Sequence, residues 1–339
     1  MAIIDKPSDY FNSKLYTGNG GTNAQTGVGF QPDWIWFKRR DGVDNHILFD
    51  VVRGVTKGIY SDLNNAEDNL ADSLASFNSD GFTLGADTGS GGSINGSSET
   101  NVAWCWKAGT SFTNDASATG IGSIDSVGSF NNDAGFSIVS YTGTGSNGTI
   151  KHGLNSKPQV IFVKARTGDT NWGTYHEILG NTKFMRLNQT NAAETEATFW
   201  NSTTATSSVF SVGSNIVTNW NTKTMIAYCF ADVQGYSKFG SYTGNGSASS
   251  GTFTYLGFKP AFVMIKRTDT TGSWEMYDAK REGFNPQVHG LYANGSNAED
   301  NTDDLLDLLS NGFKLYHDGG GLNASGGSYI YMAFAENPF

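Results

Sequence analysis

Five histidines, a crowd of carboxylates and a repeated Gly-x-Gly are the parts of this chain that invite a chemical reading. His46, His152, His176, His289 and His317 lie far apart, with no His-x-Glu or His-x3-His spacing of the kind that brings two ligands to one zinc ion. A nucleophile–histidine–acid set has no sequence support either. The acidic residues are denser. Glu299, Asp300, Asp303, Asp304 and Asp307 share one segment, and Glu67, Asp68 and Asp72 parallel it earlier in the chain. Carboxylate oxygens suit a hard cation such as Ca²⁺, so Glu299, Asp300, Asp303 and Asp304 are candidate metal ligands, although their spacing matches no EF-hand loop. A solvated face or a cap is the plainer alternative for them.

The Gly-x-Gly elements, such as Gly18-Asn19-Gly20, would need a following helix to cradle a phosphate. Their flanks read as β, which makes them turns. Aromatic rings can stack on sugars. Trp172 and Trp274 recur at one offset and are expected in the core. Trp200 and Trp220 have no counterparts, which makes them the candidate exposed ligand-binding residues. No catalytic residue and no cofactor motif emerges.

The elements that must position these residues are written three times. Tyr-Thr-Gly-x-Gly occurs at Tyr16–Gly20, Tyr141–Gly145 and Tyr242–Gly246, followed by Pro32, Pro158 and Pro260. Each Pro precedes an apolar run: Trp34-Ile35-Trp36-Phe37, Val160-Ile161-Phe162-Val163, and Ala261-Phe262-Val263-Met264-Ile265. Unbroken apolar runs of this length indicate strands covered on both faces. Lys38, Lys164 and Lys266 then end the runs and are expected to return them to water. Farther on stand the matched Glu67, Glu194 and Glu299, then Phe82-Thr83-Leu84, Phe210-Ser211-Val212 and Phe313-Lys314-Leu315. The closing strands are read as Val102-Ala103-Trp104, Ile226-Ala227-Tyr228 and Met332-Ala333-Phe334. Leu70 and Leu74, and Leu305, Leu306 and Leu309, have loosely helical spacing. A short helix is therefore expected in the first and third copies and none in the second.

Repetition of about ninety residues predicts an all-β chain of three tandem β-sandwich or jelly-roll-like domains. They span 1–107, 135–232 and 233–339, with a Gly/Ser/Asn-rich linker at 108–134. The long link predicts that the first domain stands apart while the last two pack together. Composition agrees: 43 glycines, 13% aromatic and only 16% charged residues suit strands joined by polar turns. A net charge of −10 argues against a nucleic-acid partner, because Lys38-Arg39-Arg40 is the longest basic stretch. No apolar segment is long enough to insert in a membrane, and no signal peptide precedes Pro7, so synthesis in a cytoplasm is expected. Cys105 and Cys229 occupy matching places in the first two copies and are expected as buried, reduced thiols.

Tyr16-Thr17-Gly18-Asn19-Gly20, Gly29–Arg40, Asp50-Val51-Val52-Arg53-Gly54 and Ala103–Lys107 together resemble a module of tailed-bacteriophage virion proteins, of the tail-fibre-like kind found in marine phages. The first copy resembles it best. The second departs most, with Ala165 where the others have Arg39 and Arg267. The resemblance implies a virion protein made in a host bacterium, non-enzymatic, at a tail fibre or tip in host attachment. Its implied partners are other virion proteins, further copies of itself and a host surface glycan or receptor. A capsid decoration protein is the second expectation and a glycan depolymerase the third.

Overall fold

The computed structural model describes residues 4–88, 93–300 and 306–338. The fold is all-β, with antiparallel sheets and only single-turn helices. Each third of the chain contributes one large sheet and a smaller sheet packed on it. In the first large sheet, Phe11–Thr17 pairs with Thr100–Trp106, which pairs with Trp34–Arg39, which pairs with Ile47–Asp50. The same order runs through Phe136–Thr142, Thr224–Phe230, Val160–Ala165 and Gly173–His176. It recurs in Ser237–Thr243, Ser328–Pro338, Phe258–Arg267 and Trp274–Asp278. The smaller sheets hold Asn23–Thr26 with Gly81–Leu84 and Leu74–Asn78, then Gly148–Lys151 with Val209–Val212, then Phe253–Tyr255 with Gly312–Leu315 and Leu306–Leu309.

The apolar runs explain the layering. Side chains alternate across a strand. Ile35 and Phe37 therefore join Leu74, Phe82 and Leu84 in a core between the two sheets of the first third. Trp34 and Trp36 point the other way, into a second core that all three large sheets share. There Trp34 stacks on Tyr228 with ring centroids 4.6 Å apart, Phe11 on Phe334 at 5.3 Å, and Trp104 meets Phe262 at 5.7 Å. One common core of this kind leaves no first domain standing apart, contrary to expectation.

Residues 108–134 are likewise not a linker. Thr110–Asn114 and Ser126–Asn131 form strands, and the second of them pairs along Phe136–Thr142. The Gly and Ser content that reads as flexible instead fits a two-stranded extension of the second sheet.

Other corrections are local. The leucine-rich acidic segments are strands: Leu74–Asn78, and Leu306–Leu309, where Leu306 and Leu308 are buried and Asp307 and Leu309 are less so. Alternation, not helical spacing, governs Leu306–Leu309, whereas Leu74 enters the core at a register irregularity; Leu305 lies outside the described residues. The second third, for which the sequence predicts no helix, holds two single turns at Ala197–Trp200 and Ile216–Asn219. In the third closing strand, Met264 pairs with Met332 as Trp36 pairs with Trp104 and Phe162 with Tyr228. The matching triplet is therefore Ile330-Tyr331-Met332, two residues earlier than the sequence suggests. A slip of two keeps every side chain on its own face, so the apolar pattern cannot reveal it. Pro32 and Pro158 stand just before their strands, whereas Pro260 lies inside one, at a register irregularity that spares the ladder its missing N–H.

Candidate functional site

The residues that recur at matching positions meet at three junctions between the large sheets. Lys38, Lys164 and Lys266 are fully buried rather than returned to water. Lys38 Nζ donates to Arg39 O at 2.7 Å and to Ser296 O, in the third part of the chain, at 3.3 Å. Lys164 Nζ reaches Asn64 O in the first part at 3.2 Å, and Lys266 Nζ reaches Thr190 O in the second at 3.2 Å. Burial, which disfavours the ammonium, pulls all three pKa values down to about 8. Indoles follow the same route. Trp172 Nε1 donates to Tyr60 O at 2.8 Å and Trp274 Nε1 to Arg186 O at 2.9 Å. His46 takes the matching place in the first sheet and accepts from Trp36 Nε1 at 2.8 Å. Its burial, with Lys38 and Arg281 nearby, holds its pKa well below the usual histidine value. The first sheet thus grips the third, the third grips the second, and the second grips the first. The contact is head-to-tail and closes after three steps.

Two junctions contain a buried ion pair. Asp50 accepts from Arg53 Nε at 2.5 Å, from the backbone N–H groups of Val52 and Arg53, and from Tyr228 Oη at 2.7 Å across the junction. Asp278 does the same with Arg281, with the N–H groups of Lys280 and Arg281, and with Trp104 Nε1 at 2.9 Å. Glu67 lies between Arg53 and Arg166, and Glu299 between Arg281 and Arg40. At the third junction four of these side chains change, and the glutamate alone is kept, as Glu194. His176 stands in place of the aspartate, Leu179 in place of the arginine three residues on, Met332 in place of the indole or phenol, and Thr268 in place of Arg40 and Arg166. The His176 ring approaches Tyr331 O at 3.4 Å among Phe162, Met264, Trp274 and Met332, and burial lowers its pKa to about 4. Glu194 stays within its own third, paired with Arg186.

A second repeated device holds the Tyr-Thr-Gly turns. Tyr16, Tyr141 and Tyr242 donate their hydroxyls to Ile94 O, Thr218 O and Leu322 O. The next residue is a fully buried asparagine each time: Asn95, Asn219 and Asn323. Asn95 Oδ1 accepts from Asn19 N, and Asn95 Nδ2 donates to Gly21 O and Gly85 O. Asn219 and Asn323 bind their own turns in the same way. In each turn the backbone passes where a Cβ would collide with the asparagine loop. At Gly18, for example, a Cβ would lie 2.1 Å from Gly96 O. These asparagines are the site residues that sequence reading missed. Their spacing of 78 to 81 residues from the tyrosines is the signal that marks them.

The sequence candidates fare differently. The five histidines are dispersed, and among the described residues no three His, Cys, Asp or Glu side chains are placed to hold a metal ion. Glu299 is bound to Arg40 and Arg281; Asp300 exchanges backbone bonds with Gly290; Asp303 and Asp304 lie outside the described residues. Trp200 is buried rather than exposed, packed edge-on to Tyr175 at 5.5 Å. Trp220 is half-buried, with Lys223 Nζ 5.4 Å above its ring. Trp172 and Trp274 are core residues as expected. Cys105 and Cys229 are free and buried, and burial pushes both thiols up, Cys229 to about 12. The polar groups at the recurring positions are hydrogen-bonded to protein partners, which suits them to fixing surfaces in place.

The chain belongs to a family described as Domain of unknown function (DUF7483), whose model matches residues 6–338. The single model therefore takes in all three large sheets and the segment 108–134. No curated protein and no solved structure matches.

Proposed function

We propose that this chain is a non-enzymatic structural protein of a bacteriophage particle, placed at the tail fibre or tip and used in host attachment. The observation that carries the reading is the closed set of three junctions. Lys38, Lys164 and Lys266, with Asp50 and Asp278, engage their neighbours across those junctions, and a rigid body with three outward faces results. Such a body presents surfaces. The resemblance of Tyr16–Gly20, Gly29–Arg40 and Ala103–Lys107 to phage tail modules points to the same role. Its partners are other virion proteins and a host surface glycan, and multiple copies on a particle would raise weak binding by avidity.

Labelling purified particles with an antibody against the chain tests the placement. Label at the tail tip and reduced adsorption in the presence of Fab fragments are expected. Label spread over the capsid would replace the attachment role with decoration. Release of soluble sugar from host envelopes by the purified chain would replace it with depolymerisation.

A further inference from the structure

The outward faces of the three smaller sheets differ, and the difference falls on four matched positions. Strand register fixes the match: Gln25 pairs with Phe82, Ile150 with Phe210 and Thr254 with Phe313. On either side of these residues the first small sheet shows Ala24 and Thr26, the second Thr149 and Lys151, and the third Phe253 and Tyr255. After the phenylalanines come Thr83 and Gly85, then Ser211 and Gly213, then Lys314 and Tyr316. Three of the four matched positions are thus aromatic in the third sheet and in neither of the others, where they hold small or polar residues and one lysine, Lys151; the fourth is Lys314 in place of Thr83 and Ser211.

The rings are open to solvent. Phe253 is 44% exposed and Tyr255 55%, and Phe284, on the loop that bonds to the opposite edge of this sheet through Asn285 and Leu308, is 67% exposed. Among the described residues these are the three strongly exposed aromatics, whereas the other large exposed apolar residues, Val43, Val127, Ile178 and Ile216, are aliphatic and scattered. Tyr255 stands opposite Gly312, so no side chain flanks its ring from that strand. Two ammonium groups border the face. Lys238 Nζ lies 5.2 Å from the Tyr255 ring centre and donates to Tyr255 O, and Lys314 Nζ lies 4.9 Å from the Tyr316 ring centre, across the strand from Phe253. Neither forms a salt bridge among the described residues; Asp307 stands opposite Lys314 on the neighbouring strand, and Asp232 lies within electrostatic reach of Lys238.

We propose that this face of the third small sheet binds an acidic polysaccharide. Sugar rings stack by their C–H faces on Phe253 and Tyr255, and uronate carboxylates accept from Lys238 and Lys314. Exposed rings on a strand supply the flat apolar contact, and the two ammonium groups beside them select the charge. The fold does not need these side chains, because the other two small sheets form with Ala24, Thr26, Thr149 and Lys151 in their places. The inference rests on the attachment role and names its ligand class.

Titrating the full chain with an oligouronate and with a neutral β-glucan oligosaccharide, by calorimetry, tests it. The oligouronate is expected to bind, with Kd at least tenfold weaker for F253A/Y255A and a reduced salt dependence for K314A. Thermal unfolding of both variants should stay at the native value, and W220A should bind normally. No oligouronate binding, equal binding by F253A/Y255A, or a preference for the β-glucan would overturn the proposal. Particle labelling separates the two claims. A tail protein that binds no oligouronate overturns the ligand, and an oligouronate binder absent from particles overturns the attachment role.

Discussion

Two of the three junctions contain a buried Asp–Arg ion pair, and at the third packed side chains take its place. Asp50 with Arg53 and Tyr228, and Asp278 with Arg281 and Trp104, fill the same space that His176, Leu179 and Met332 fill at the third. The geometry around them is alike: a lysine and an indole or imidazole from one sheet reach the loop of the next in every case. A buried ion pair and an apolar set of similar volume are therefore interchangeable in holding this contact. Desolvation offsets most of the Coulombic gain of the pair, so neither solution dominates. What differs is the consequence of losing one member.

That difference is the first way to test the comparison. Asp278→Ala or Asp50→Ala removes the acceptor of two backbone N–H groups, of the guanidinium Nε and of a donor from the neighbouring sheet. It leaves the buried guanidinium only its glutamate as counter-charge and is expected to cost about 3–5 kcal/mol. His176→Leu should cost less than about 1.5 kcal/mol, because its site is already apolar. Urea unfolding of the three variants decides it, and equal losses would end the distinction. Replacing Asp278, Arg281 and Trp104 together by His, Leu and Met should recover most of the stability lost in Asp278→Ala.

The repeated asparagines should rank next. Asn95→Ala, Asn219→Ala and Asn323→Ala each leave turn donors and carbonyls without their partner, at about 1–3 kcal/mol. Similar losses at all three positions are expected, since this device does not differ between the polar and apolar junctions. A loss confined to one of them would show that the turns are not equivalent.

Acidity sharpens the comparison further. The folded pKa of His176, about 4, lies below its unfolded value near 6.5. The unfolded chain therefore binds the extra proton first, and the contribution of this histidine to stability, full above about pH 6.5, is lost as pH falls toward 4. His176→Leu should flatten that part of the stability profile. The three lysines act in the alkaline range with the same sign: stability should rise between about pH 8 and 10.5, where the unfolded chain still holds protons that the folded one has released. Lys266→Met should reduce this rise by about a third.

Much of the frame is readable from the residues because the central strands are buried on both faces, and a run such as Trp34-Ile35-Trp36-Phe37 has few other homes. The lysines mislead for the opposite reason. A Lys that ends an apolar run ordinarily faces water, and only the neighbouring sheet, distant in sequence, supplies Ser296 O, Asn64 O and Thr190 O. Asn95 and its counterparts are hidden by composition, since in a chain full of asparagines only their spacing from the repeated tyrosines sets them apart. Segment 108–134 misleads because Gly and Ser, usual in linkers, also fit a strand that lies closely along another. At Gly128 that pairing is so close that a Cβ would lie 2.2 Å from Ile138 O.

The hairpin at 110–131 has a further consequence for how the molecule meets others. The strand it covers, Phe136–Thr142, has no charged residue, whereas the two strands in the same place that end their sheets, Phe11–Thr17 and Ser237–Thr243, carry Lys14 and Lys238. An edge without charge is a template on which a strand from another molecule can grow, and a lysine on an edge discourages that growth. Two sheets therefore end on a strand that carries a lysine, whereas in the second the border is carried outward to Thr110–Asn114, a strand without charge and polar apart from Phe112.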